Sequence, residues 1–465
     1  MCKEQSKSLH SRYNPQGEAD RYINSLSLNG NIRFFVLIEP GLGYLIAPLR
    51  KKAPSAKLIA LHAEKHNFHD IEGPDSQWYP ELGISIRDFL ENEIPDCEAS
   101  EVQLLEWRPA LNIYGKAYLS LMEEAVDFIK RADANARTIK TFGNRWFRNF
   151  LKNLKLINHV LKPVSLNLPF IVTGAGPSLE VQIPIIKKQK RENIFILAAS
   201  SSRAALKAAA ITPDMVIATD GTPWAALHLF ESLRGNFSSP LAVSLSASLP
   251  SQCENLPLLP ICDQSLWQTI VFKELGLPFI SLPQRGTVSA SALDLAFTLT
   301  NNKVFIGGMD LANHDIRSHA RPYSFDKLLE DKEKRFNPVY SQKYKRSSML
   351  KAGGSFDIYA SWFKKQLEIY PKRLYSLGEN NSVFESLRID RNVEFGIRNE
   401  PPGIKFDIID IDSGACLASK AISILEKGLK DSVHSAIMLE ELSPLLLPAG
   451  TSPSPEALIE ALHAI

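Results

Sequence analysis

Phe170-Ile171-Val172-Thr173-Gly174-Ala175-Gly176-Pro177-Ser178-Leu179 is the stretch that decides how this chain folds. An apolar strand runs into two glycines, and a Pro-Ser pair then opens a helix. A strand that stops at Gly-x-Gly leaves a tight turn with no side chains to block a ligand. Pro177 suits the first helical position, where a missing N–H costs nothing. The amides of that first turn are expected to face outward, with partial positive charge suited to a phosphate. Ser178 adds a hydroxyl at the same spot. The stretch reads as a nucleotide-phosphate cradle. The alternative is a tight β–α turn that holds no ligand. Leu179 stands where the dinucleotide fingerprint has its third glycine, and no Gly-Lys-Ser/Thr follows, so this is not a Walker-type triphosphate loop.

Outward from this turn, strand-like segments recur at Ile194–Ala198, Met215–Thr219, Leu241–Leu245, Phe279–Leu282 and Val304–Ile306. Helical segments at Leu179–Gln189, Arg203–Ala210, Pro223–Leu233 and Ser289–Thr300 separate most of them. Such alternation predicts a Rossmann-like, doubly wound, mainly parallel sheet, in which ligands gather at the carboxyl ends of the strands. Polar groups collect there: Ser178, then Ser200-Ser201-Ser202, Asp220-Gly221-Thr222, Thr287-Val288-Ser289 and Gly308-Met309-Asp310. A lone terminal Asp is more often a cap or turn residue. Two of them beside a glycine turn and hydroxyl-rich loops favour a nucleotide pocket.

A second, smaller α/β unit precedes this one, with strands at Phe34–Ile38 and Leu58–Leu61 around Glu39-Pro40-Gly41-Leu42-Gly43. Its loop is similar to the first motif of methyltransferases, with Glu64 as the acid after the second strand. Leu45 replaces the third glycine, and a small domain whose loop has lost its ligand is the alternative. His62, His66 and His69 with Asp70 offer metal-ligand residue types, but Gly73-Pro74 points to a loop and solvated histidines. Two helical stretches follow, Ala117–Arg131 and Thr138–Ile157. The second interleaves Trp146, Phe147 and Phe150 with arginines and lysines, a pattern shared by single-strand nucleic-acid binders and, more commonly, by amphipathic connector helices. Residues 311–351 read as an insertion or lid. The expected division is an N-terminal α/β domain at 1–110, a helical connector at 111–164, a central domain at 165–395 and a helical C-terminal region at 404–465.

Composition narrows the class. The 465 residues are 45% hydrophobic, enough for a sizeable core, and Lys+Arg 53 against Asp+Glu 51 gives no charge argument for nucleic acid or membrane partners. Five scattered cysteines form no Cys-x-x-Cys pair, which predicts neither a zinc site nor a disulfide framework. No apolar leader and no membrane-length run are evident, so a cytoplasmic location is expected.

The residues resemble a known family. Gly174–Leu179 with Pro213–Asp220, Gly308-Met309-Asp310-Leu311-Ala312 and Ser318-His319-Ala320 look like the motility-associated factor (Maf) flagellin glycosyltransferases. Gly41-Leu42-Gly43-Tyr44 and Ser11-Arg12-Tyr13-Asn14-Pro15 continue the likeness, which spans about residues 10–390. The central domain is also similar to bacterial sialyltransferases sharing Gly-x-Gly-Pro-Ser; Thr287, Ser289, Gly308, Asp310 and Tyr323-Ser324-Phe325 occupy corresponding places. No histidine lies between His319 and His434, so the sialyltransferase base has no counterpart.

The resemblance implies transfer of a nonulosonic (sialic-like) acid from a CMP-activated donor to Ser/Thr hydroxyls of flagellin. The expected catalytic set is His319, Tyr323 and Asp310; deprotonating the acceptor hydroxyl suits an imidazole, which makes His319 the candidate base with His314 behind it. Donor binding then falls to Gly174, Gly176, Pro177, Ser178, Ser200, Ser201, Asp220, Thr287, Ser289 and Gly308. Displacing CMP releases one phosphate monoester, which amides and hydroxyls can stabilise, so no cofactor or metal is expected. Two alternatives remain: an ATP-dependent enzyme resembling archaeal hydroxymethylpterin diphosphokinases, which share the core domain, and a non-catalytic flagellin-binding assembly protein.

Overall fold

A computed structural model describes residues 8–27, 32–65, 73–94, 101–188, 193–233, 239–311, 319–336, 338, 362–363, 366, 369–370, 372–378, 406–411, 415–448 and 451–465. The chain divides into two compact units, Met1–Gly143 and Asn144–Ile465.

In the first unit, α1 (Pro15–Ser25) starts where Asn14 accepts from Gly17 N–H at 2.8 Å, with Pro15 at the first helical position. Four parallel strands follow, β1 (Phe34–Ile38), β2 (Lys57–Leu61), β3 (Ser76–Trp78) and β4 (Val102–Glu106), in the order β3-β2-β1-β4. All five residues of β1 are buried, as a central parallel strand covered on both faces requires. Helices α2 (Ile46–Lys52), α3 (Ile86–Glu93) and α4 (Arg108–Tyr114) complete the layers. The strands foreseen at Phe34–Ile38 and Leu58–Leu61 are present.

The two helical stretches read around residue 131 are one helix, α5 (Lys116–Leu154). Its last turns enter the second core, where Phe147 and Phe150 are buried and lie 5.4 and 4.8 Å from Trp267, centroid to centroid. Phe147 and Phe150 are therefore core residues, while Trp146 is half-buried.

The second unit carries β5 (His159–Leu161), β6 (Phe170–Thr173), α6 (Leu179–Lys188), β7 (Phe195–Ala199), α7 (Arg203–Ala208), β8 (Met215–Ala218), α8 (Leu227–Leu233), β9 (Leu241–Ser244), β10 (Leu258–Cys262), α9 (Leu266–Glu274), β11 (Ile280–Ser281), α10 (Val288–Leu299), β12 (Val304–Gly307), α11 (Asp326–Asp331), β13 (Leu374–Ser376) and β14 (Ile408–Asp410). The sheet order is β13-β12-β6-β7-β8-β9-β10-β5-β14, with β11 beside β10. Every described pairing is parallel except β14 with β5. The α/β, mainly parallel architecture read from the alternation is the one observed. From β6 the chain winds outward to β10, then returns to lay β12 on the other side of β6. That reversal makes a topological switch point between the carboxyl ends of β6 and β12, where open α/β sheets hold their ligands.

Three terminal helices, α12 (Ala415–Lys430), α13 (Ser435–Leu446) and α14 (Pro455–His463), bury Leu425, Leu442 and Leu458 in the same core. Glu441 on α13 accepts from the N–H groups of Leu266 and Trp267 at 2.8 and 3.0 Å, capping α9. Among the described residues no helix is long and apolar enough to cross a membrane.

Candidate functional site

At the switch point the backbones of the two strand ends touch. Gly174 N–H donates to Gly307 O at 2.8 Å, and Gly176 N–H donates to Gly308 O at 2.7 Å. A Cβ on Gly174 would collide with the Gly308 carbonyl, and one on Gly308 with the Gly174 carbonyl. Gly308 also sits at φ +63°, which favours glycine. These glycines are therefore required by close backbone packing, whether or not a ligand is present.

Asp310 completes the turn. Its carboxylate accepts from Ser178 N–H at 2.7 Å and from the Ser178 hydroxyl. A Cβ on Gly176 would lie 2.6 Å from Asp310 Cγ, so this glycine leaves room for the acid. The expectation of free, outward-facing amides is corrected here: those of Gly174, Gly176 and Ser178 are all engaged within the protein. Backbone carbonyls take the amides of Gly174 and Gly176; for Ser178 the reason is the usual one for a helix start, an anion placed on a first-turn N–H. Here the anion is the chain's own carboxylate.

The segment after β12 folds back over this turn. Ala320 N–H donates to Ala175 O at 2.8 Å, and Arg321 N–H donates to a Glu180 carboxylate oxygen at 2.8 Å. His319 and Tyr323 are thereby held together, rings stacked with centroids 4.0 Å apart and planes 7° apart. Asp326 accepts from Tyr323 N–H at 2.8 Å and fixes the turn into α11. His314, the second candidate base, lies outside the described residues.

The same segment meets a histidine that sequence reasoning missed. His228, in the first turn of α8, stacks on Phe325 at 4.6 Å and lies 5.3 Å from Tyr323. It is 8% exposed. Burial, with the nearby His319 adding to it, pushes its pKa down to about 4, so it is neutral at pH 7. No local motif marks it; only its place after the β8 end could have.

The remaining candidates spread along the same rim. Ser200 is buried and Ser201 half-buried in the turn after β7, where the neighbouring Ser202 hydroxyl lies 2.9 Å from that of Thr173. Asp220 is exposed after β8; its carboxylate accepts from Thr222 N–H at 2.8 Å, the turn role that a terminal Asp commonly has. Thr287 caps α10 by accepting from Ala290 N–H at 3.2 Å, and Ser289 follows on its first turn. Among the described residues no hydrogen bond joins Asp220, Thr287 or Ser289 to the glycine turn. Pro177 lies in the turn two residues before α6 and not at the first helical position that the sequence suggested.

In the first unit, Gly41 and Gly43 have φ +69° and +91°, and Leu42 N–H donates to His10 Nε2 at 3.1 Å. A Cβ on Gly41 would collide with that imidazole. His10 thus fills the loop where a ligand was considered. Glu39 and His62, both fully buried, pair at 3.3 Å across the ends of β1 and β2. Glu64 accepts from the Tyr114 hydroxyl at 2.6 Å. His66, His69 and Asp70 lie outside the described residues.

With this geometry in place, comparisons with known proteins define the class of fold. Residues 144–315 match the family model described as 6-hydroxymethylpterin diphosphokinase MptE-like. Over 97% of its length the chain is similar in structure to a Maf glycosyltransferase from Magnetospirillum magneticum AMB-1, with TM-score 0.54, 12% identity and 77% of that chain covered. The fold is the one shared with that protein. Two uncharacterized proteins of Treponema pallidum (strain Nichols) are similar in sequence. One is 30% identical over 298 residues, covering 63% of this chain and 61% of the relative. The other is 23% identical over 344 residues, covering 67% and 57% respectively. The chain thus spans about three fifths of the length of these relatives.

Proposed function

We propose that this protein is a glycosyltransferase that moves a nonulosonic acid from a CMP-activated donor to Ser/Thr hydroxyls of flagellin. The likeness to a Maf glycosyltransferase across both units is the observation that carries this reading. In it, the acceptor oxygen attacks the anomeric carbon, the bond to the CMP phosphate oxygen breaks, and that oxygen keeps the electron pair. The acceptor proton passes to His319, an imidazole near neutral pKa being suited to this. Tyr323, stacked on His319, donates a hydrogen bond to the departing phosphate. The phosphate takes the place of the Asp310 carboxylate on Ser178 N–H and Oγ, a site already shaped for an anion.

The match of residues 144–315 to the hydroxymethylpterin diphosphokinase-like model favours a second reading, ATP-dependent diphosphoryl transfer. Such an enzyme holds Mg²⁺-ATP on carboxylates, for which Asp220 and Asp310 are the candidates. Calorimetric titration separates the two. The transferase reading expects binding of CMP and none of Mg²⁺-ATP at comparable concentration; preference for Mg²⁺-ATP rejects it. His319→Ala is expected to abolish transfer while CMP still binds. Full activity in that variant would remove His319 as the base.

A further inference from the structure

Among the described residues, the buried ring nitrogen of His228 has no hydrogen-bond partner: Nδ1 is inaccessible to solvent and unsatisfied. The ring is held flat against Phe325 and next to Tyr323, beside the His319–Tyr323 stack at the carboxyl rim. A buried polar atom left unpaired destabilises the fold, and native proteins rarely keep one without a use. If packing were the whole role, phenylalanine would fill this aromatic nest without the penalty. The group is also neutral at pH 7, because burial disfavours its charged form. It therefore brings no charge to a phosphate or a carboxylate. A neutral imidazole nitrogen suits an uncharged hydroxyl, which can donate to it or accept from it.

We propose that His228 is a substrate-binding residue that hydrogen-bonds a sugar hydroxyl of the donor, reached when the Tyr323–Phe325 turn shifts on binding. This rests on the transferase reading above and names which part of the donor the β8–α8 side of the carboxyl rim recognises. Recognition is divided: Ser178 takes the anionic part of the donor, and His228 takes a neutral hydroxyl of the sugar.

Two variants and two probes test it. The probes are CMP and CMP-N-acetylneuraminic acid, titrated calorimetrically against wild type, His228→Phe and His228→Gln. The inference expects wild type to bind the sugar nucleotide more tightly than CMP. His228→Phe should lose about five-fold of that extra tightening, while His228→Gln, which keeps a neutral hydrogen-bonding group, recovers part of it. Ligand-free His228→Phe should melt at or above the wild-type temperature, since it removes the unsatisfied nitrogen. Unchanged sugar-nucleotide affinity in His228→Phe would overturn the inference alone. A lowered melting temperature in ligand-free His228→Phe would also overturn it, by making the histidine structural. Wild type that binds neither probe would overturn the transferase reading and this inference together.

Discussion

Asp310 and Ser178 are 132 positions apart and form the contact on which the site turns. The strand and Pro177 were legible in the sequence from local sterics, and the glycines from their spacing, although what requires Gly174 and Gly176 is Gly308 and Asp310 on another strand end. That an acid from another strand end would occupy the amides was not, since nothing near Ser178 announces its partner. Asp310→Asn keeps an acceptor but loses the charge that suits a helix start. It should cost about 1 kcal/mol of stability, read as a lower melting temperature, and should tighten CMP several-fold by weakening the resident competitor. Weaker CMP binding would instead mean that Asp310 supports the ligand. His228 was equally hidden, lying in a short helix with no motif. Its folded-state pKa of about 4 lies below the ordinary 6.5. Between those values the unfolded chain binds a proton that the native protein refuses, so stability falls as pH drops from about 6.5 toward 4. Urea titrations across this window should show a fall of up to about 3 kcal/mol from this group, and His228→Phe should flatten it.

At the level of elements, periodicity served well where strands are apolar runs between helices, as at β6, β7, β8 and β12. It failed at β10, whose Leu258-Leu259-Pro260-Ile261-Cys262 carries a proline in a buried strand, a position where proline argues against a strand. The expected strand at Phe279–Leu282 shrinks to the two residues of β11, which among the described residues pair with the end of β10. The run Ala132–Arg137, with its Asp133 and Asn135, made α5 look like two helices, although such residues cost a helix only about 0.7 kcal/mol each. Packing of its two ends in different cores overrides that cost. The cap that α13 places on α9 was invisible for the same reason as Asp310. Glu441 is largely buried, which raises its pKa, yet it satisfies two first-turn amides. Glu441→Ala should therefore cost about 2 kcal/mol, seen as a lower urea midpoint with the denaturant slope retained. An unchanged midpoint would show that the terminal helices hold α9 by apolar packing alone.

For the molecule as a whole, fold class was readable because alternation of strand and helix repeats over many elements, so single errors do not change the answer. Function was readable less far. The glycine turn alone fits both the proposed sugar transferase and the pterin kinase alternative, and the structural likeness over 97% of this chain shows the fold rather than the reaction. Intact-mass spectrometry of purified flagellin, incubated with a CMP-activated nonulosonate in the presence and absence of this protein, tests the central claim most directly. The account predicts flagellin heavier by whole sugar residues when the protein is present, and no gain with His319→Ala. Flagellin of unchanged mass, with a donor that the protein demonstrably binds, would contradict it.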